Sequence, residues 1–398
     1  MKQVKYLKHS LVIAAALGLS GCSIFGDEEL SYKELQPFNA SVQPSVQWDA
    51  GAGDGIGEFF SRLNPTVVGD HVVVADRQGM IMAFNRANGN RVWERDLQAQ
   101  YAAQGEGWLD GAESLRISGG LVSYGDNVVL GTENGDVIML NGVDGSVLWH
   151  TNIKAEVVSD PALDANHVVI TASNGKVVGL NAETGEERWS MVTDVPALSL
   201  RGTGAPTLAS GGAIFGTANG KLTVAVLDNG QQVWEARLAI PKGATELQRL
   251  VDVDAAPISR GELIYNIAYN GQLAAVEMRT GRVVWQREYS SFQNLDMYGQ
   301  TIYATDADDR VYAINVDGGI ERWVNADFEG RELTAPVYYN GSIVVGDSFG
   351  YLHFIDAASG ETEGRLEVGS DVYVAPVVAD NELYIQTRDG TLLAVRTN

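Results

Sequence analysis

An all-β chain folded as an eight-bladed β-propeller is what this sequence predicts, and three observations carry the prediction. One repeat recurs eight times in strict register; its strand-forming runs alternate apolar and polar residues; and the last copy stops one strand short while an unassigned strand stands ahead of the first. Four-stranded antiparallel sheets repeated around an axis satisfy all three.

Along the chain, residues 1–21 read as a lipoprotein signal peptide and are set apart from the fold. Lys2, Lys5 and Lys8 supply a positive start, and Leu11 to Leu19 is an apolar run of nine residues, too short to span a bilayer as a helix. The tetrapeptide Leu19-Ser20-Gly21-Cys22 resembles the bacterial lipobox, in which cleavage precedes a cysteine that is then acylated. The resemblance implies lipid attachment at Cys22 and, with Ser23 rather than Asp beside it, an outer-membrane anchor facing the periplasm. Cys22 is the only cysteine, so no disulfide framework or thiolate metal cluster is available. Residues 22–42, with Gly, Asp, Glu, Ser and Pro and little apolar periodicity, read as a lipidated flexible tether. Removing the leader takes three lysines and no acid, which carries the net charge from −23 to −26. A chain this acidic is a poor partner for nucleic acid or anionic headgroups.

The propeller occupies residues 43–398. Its repeat is visible in GDVIMLNGVDGSVLW (135–149) and GKVVGLNAETGEERW (175–189). A first glycine falls at Gly79, Gly135, Gly175, Gly220, Gly271, Gly350 and Gly390, with Asp309 in the same place in the sixth copy. A second glycine follows ten residues later, and tryptophan stands four further on at Trp93, Trp149, Trp189, Trp234, Trp285 and Trp323. Runs such as HVVVAD (71–76) and MIMAFN (80–85) have the period of two that makes one strand face apolar, and Gly-containing turns separate them. The tryptophans read as wedges between neighbouring blades. In the seventh copy Gly364 takes the tryptophan position. The eighth ends at Asn398 after its third strand; pairing residues 45–49 with Leu392 to Val395 closes the ring and removes two exposed edges.

Catalytic signatures are missing. The histidines fall at unrelated places in the repeat, and no HExxH, GxSxG or P-loop spacing occurs. GAGDGIG (51–57) has no amphipathic helix after it to cradle a phosphate and reads as a flexible link into blade one; Asp306, Asp308 and Asp309 read as a solvated turn rather than a calcium loop. No cofactor and no metal site is expected. The repeat does resemble the tryptophan-docking motif of PQQ-dependent quinoprotein dehydrogenases, which leaves an enzyme as one alternative and a generic periplasmic binding propeller as another.

Three connections exceed the plain spacing of 10 to 13 residues between the tryptophan and the next proline position: Trp93 to Leu121, Trp189 to Pro206 and Trp234 to Pro257, at 28, 17 and 23 residues. All three run from an outer strand to the next inner strand, so they elaborate one face of the disc. The first, Arg95 to Gly120, carries Trp108 outside the register and reads equally as a lid over the axis or an ordered loop. The second carries Leu198, Leu200 and Arg201, and the third Asp252 and Asp254. Arg201 and Asp252 each stand five residues before their proline, which makes them neighbours across a blade boundary. Either they form a salt bridge over packed leucines, or the leucines and charges form a partner-binding patch.

With LSLRG, VDVDAAP, AYNGQLAAVEMRTG and VVGDSFGYLHF added to the lipobox and the eight repeats, essentially the whole mature chain resembles the BamB lipoproteins of the outer-membrane β-barrel assembly machinery. The resemblance implies a non-enzymatic scaffold of the Bam complex. It implies that Leu198, Leu200, Arg201, Asp252 and Asp254 dock the periplasmic POTRA domains of BamA. It also implies that unfolded outer-membrane protein precursors are a further partner, met through strand edges.

Overall fold

The computed structural model describes residues 32–103, 114–200 and 204–398. It contains eight four-stranded antiparallel sheets, each wound in simple inner-to-outer order. Blade one comprises Thr66–Val68, His71–Ala75, Met80–Asn85 and Arg91–Asp96; blade seven comprises Val337–Tyr339, Ser342–Gly346, Tyr351–Asp356 and Thr362–Glu367. The two middle strands of a blade are buried almost end to end, because both of their faces meet a neighbouring blade. Outer strands such as Arg91–Asp96 bury mainly the tryptophan. The core is accordingly interfacial: Val73, Ala83 and Trp93 of blade one interlock with Val128, Leu130 and Ile138 of blade two.

The tryptophans are the locks of these interfaces. Trp189 of blade three donates its indole N–H to the carbonyl of Leu227 in blade four at 2.7 Å, and its ring lies over Gly230 of that blade. Gly230 has φ +68°, and a Cβ there would stand 2.5 Å from the indole, so glycine is required twice over. The same pairing joins Trp93 to Gly142 and Gly145, and Trp149 to Ala182 and Gly185.

Closure follows the sequence expectation. Pro44–Gly51 is the outer strand of blade eight, with Val46 opposite Val395, Trp48 opposite Ala394 and Asp49 opposite Leu393. Trp48 is the eighth blade's lock on the first: it donates to the Arg86 carbonyl at 2.8 Å and covers Gly89. The arrangement also explains Gly364. Blade eight has its chain ends where other blades have the second glycine turn, so a tryptophan on blade seven would have nothing to dock on. Val42 passes there instead, its carbonyl oxygen 3.1 Å from where a Gly364 Cβ would lie.

Two segments expected to be loose are ordered. GAGDGIG is wedged between blades eight and one, with Ile56 N–H bonded to the Arg388 carbonyl and Arg77 N–H to that of Gly55. Contact, not mobility, explains these glycines: a Cβ on Gly55 would collide with the Arg388 carbonyl. Residues 32–42 of the tether lie along blade seven, where Ser41 and Val42 both donate to the Glu363 carbonyl. Asp309 holds φ +64° in place of glycine, and its carboxylate accepts from the Glu332 and Leu333 amides, binding blade six to the next connection.

Candidate functional site

Connections between blades emerge beside the turns that carry the first glycines: Leu97 N–H bonds the Gly79 carbonyl, Thr193 that of Gly175 and Leu238 that of Gly220. All three long connections therefore share one face. The first begins with the helix Leu97–Ala103, capped by the Asp96 carboxylate on the Ala99 amide, and its ends are pinned by buried Leu97 and Leu115. Trp108 lies outside the described residues.

The second and third connections together present a crest of apolar side chains over blades three to five. From the second, Val192, Val195 and Leu198 are exposed, Leu198 by 45%, while Leu200 is half-buried. From the third, Ile240 and Leu247 are exposed, Leu247 on the short 3-10 turn Leu247–Arg249. Large apolar side chains presented together by loops on one face are unusual for a soluble surface and mark an interaction site. Beside them a cleft of about 630 Å³ opens between blades four and five, its rim carrying Arg237, Ile240 and Lys242 and its wall Gln286 and Tyr289. Val192, Val195, Ile240 and Leu247 escaped the sequence reading; their signal was apolar residues inside connections that exceed the repeat length.

Asp252 and Asp254 are not on this surface. Their side chains are buried, 1% and 2% exposed, beneath the crest. Val253 between them fills the space against Gly204 and Gly216, and the alternation along the segment turns both carboxyls to the other side. The Asp252 carbonyl accepts from Tyr269 N–H at 2.8 Å, which fixes the segment to blade five. Burial pushes both carboxyls above their ordinary range. The charge of Asp254 raises Asp252 further, while the Arg62 guanidinium draws Asp254 partly back. The Asp252 carboxylate oxygen Oδ1 accepts from the Val253 amide at 3.0 Å. The sequence left a salt bridge over packed leucines and an exposed charged patch both open. The structure shows Asp252 and Asp254 as a buried pair of carboxyls, outside any exposed patch. Arg201 and Cys22 lie outside the described residues.

A propeller with interlocked blades, plain on one face and carrying an apolar crest of loops on the other, belongs to the class of binding scaffolds. The comparisons give that class its family. The family model described as outer membrane protein assembly factor BamB matches residues 34–106, 99–325 and 326–398. Outer membrane protein assembly factor BamB of Shewanella oneidensis is 38% identical over 388 residues, covering 96% of this chain and 98% of that one. BamB of Escherichia coli K12 is likewise 38% identical, with 95% of each chain covered. The crystal structure of BamB from Moraxella catarrhalis superposes with a TM-score of 0.78 at 24% identity, covering 89% of this chain and 99% of that one. The chain belongs to the BamB family of outer membrane protein assembly factors.

Proposed function

We propose that this chain is a non-enzymatic scaffold of the outer-membrane β-barrel assembly complex that docks the POTRA domains of BamA through the crest over blades three to five. It is held to the outer membrane, facing the periplasm, by lipid on Cys22. The observation that carries the reading is the exposure of Leu198 on a connection that exceeds the repeat length, while Asp252 and Asp254 of the adjoining connection are buried. Preorganised apolar anchors lose little entropy on association, and a neighbouring arginine is the residue type that most often completes such a patch. In this reading Leu198, Leu200 and Arg201 touch the partner, while Asp252 and Asp254 position them.

The test is co-purification with the BamA periplasmic region. Arg201→Glu abolishes capture and the double change Leu198→Ala/Leu200→Ala weakens it at least tenfold, with circular dichroism and melting temperature unchanged. Wild-type capture by both variants overturns the assignment of the patch.

A further inference from the structure

Residues 32–42 form a strap that crosses the rim of the disc. Tyr32 packs at a tilt against Phe349, centroids 4.6 Å apart, in the turn between the second and third strands of blade seven, on the face that carries the long connections. Lys33 N–H bonds the Glu329 carbonyl, and its ammonium sits 2.6 Å from the Glu329 carboxylate, which also accepts from Arg310. From there the strap descends beside the outer strand Thr362–Glu367, with Leu35 against the core between blades six and seven and Phe38 over the Arg365 guanidinium at 4.9 Å. It reaches the opposite face at Ser41 and Val42, where Glu363 receives both amides, and turns into Pro44–Gly51.

The strap rests on a prepared site. Asp347 is fully buried and binds Arg331 Nε at 2.7 Å and His353 Nε2 at 2.8 Å. Arg365 Nε donates to the other ring nitrogen of His353 at 3.3 Å. Arg331 lies against the Phe349 ring, with its guanidinium carbon 4.3 Å from that centroid and 5.8 Å from that of Tyr32, which packs on the same side. Two of the strap's aromatic rings therefore each cap an arginine of one network on blade seven, the blade that lacks a tryptophan lock. Cation–π contacts of this kind contribute most where the guanidinium is withdrawn from water, as Arg331 is.

Its consequence concerns the lipid. Twenty residue steps separate Cys22 from Val42, a reach of at most about 70 Å. With the strap docked, ten steps separate Cys22 from Tyr32, a reach of at most about 35 Å. The disc is one strand thick, about 20 Å. A released tether leaves the propeller from Val42 on the opposite face; the docked one leaves from the crest-bearing face at blades six and seven. We infer that the strap is an orientation device: it turns the crest-bearing face of blades six and seven toward the lipid surface and leaves the opposite face away from it. The inference rests on the anchor at Cys22 proposed above.

The experiment uses the full lipidated chain in phosphatidylethanolamine–phosphatidylglycerol vesicles containing a headgroup-attached quencher. Fluorophores are placed one at a time, through Asp308→Cys on the crest-bearing face and Ala358→Cys on the other; the native thiol carries lipid, so labelling is unique. The expected result is quenching at position 308 at least threefold greater than at 358. Tyr32→Ala/Phe38→Ala is expected to abolish or reverse the bias while the propeller keeps its circular dichroism, with faster hydrogen exchange confined to residues 32–42. Equal quenching in the chain with an intact strap, or a bias that survives the double change, overturns the inference. Cys22→Ala is expected to abolish quenching at both positions. Persistence of quenching in that variant overturns the anchor reading instead, which keeps the two failures apart.

Discussion

Asp252 holds the most consequential side chain of the candidate site and the one whose environment the sequence disguised. In VDVDAAP two aspartates flank a valine within a long connection, a pattern that ordinarily lies in water. Here the valine is the anchor, and its burial carries both carboxyls in with it. Because the folded chain retains a proton on Asp252 that the unfolded chain has lost above about pH 4, the folded state binds more protons, and stability falls as pH rises from there toward the raised folded value. Asn at this position keeps an oxygen for the Val253 amide without any protonation cost. Asp252→Asn is therefore expected to raise stability at pH 8 by about 1–2 kcal/mol, a melting shift of about 2–4 °C, and to leave it unchanged near pH 4. Thermal unfolding at the two pH values checks this, and a variant less stable than the parent at pH 8 contradicts the retained proton.

At the scale of the element, the repeat was legible because each glycine and tryptophan performs one job at one place seven times around the ring. Trp48 could be assigned to blade eight from the sequence, since the ring needed a strand at that point and residues 45–49 supplied it. The docked strap could not, because its contacts are made by single residues at irregular intervals, Tyr32, Leu35, Phe38 and Val42, with no period of two or 3.6 to announce an element. Its signal lay elsewhere in the chain, in the Gly at 364 where six other copies have tryptophan. GAGDGIG misled for a related reason: glycine permits looseness and close contact equally, and only the neighbours decide. The lock itself is testable at Gly230. Gly230→Ala places a methyl group against the Trp189 indole at a backbone angle L-residues avoid, and is expected to cost about 2–4 kcal/mol. Near-ultraviolet circular dichroism, which reads tryptophan packing, is expected to diminish along with the melting temperature. An unchanged spectrum and midpoint contradict the lock.

For the whole molecule, the decisive feature is that the ring is closed without a covalent bond, by seven paired residues between Pro44–Gly51 and Thr391–Thr397. Beginning the chain at Gly51 removes that strand and uncovers TLLAVRT, a run with Leu392, Leu393, Ala394 and Val395 at its centre and unpaired backbone along one side. An apolar, uncapped edge of this length recruits another edge, so the shortened chain is expected to self-associate during size-exclusion chromatography and to unfold at lower temperature. The missing strand supplied as a peptide of residues 43–50 is expected to restore the monomer by strand addition, with Trp48 docking over Gly89 as its specific anchor. Tethered, that strand faces its partner at an effective concentration in the millimolar range; untethered, it must be added at about that concentration to compete with self-association. A peptide carrying Trp48→Ala is expected to fail at the same dose, because it keeps the backbone pairing but loses the wedge and its hydrogen bond to the Arg86 carbonyl. If the shortened chain stays monomeric and melts with the parent, closure contributes little and the seven other interfaces suffice to hold the disc. If the Trp48→Ala peptide rescues as well as the native one, pairing alone closes the ring and the tryptophan at this junction is dispensable.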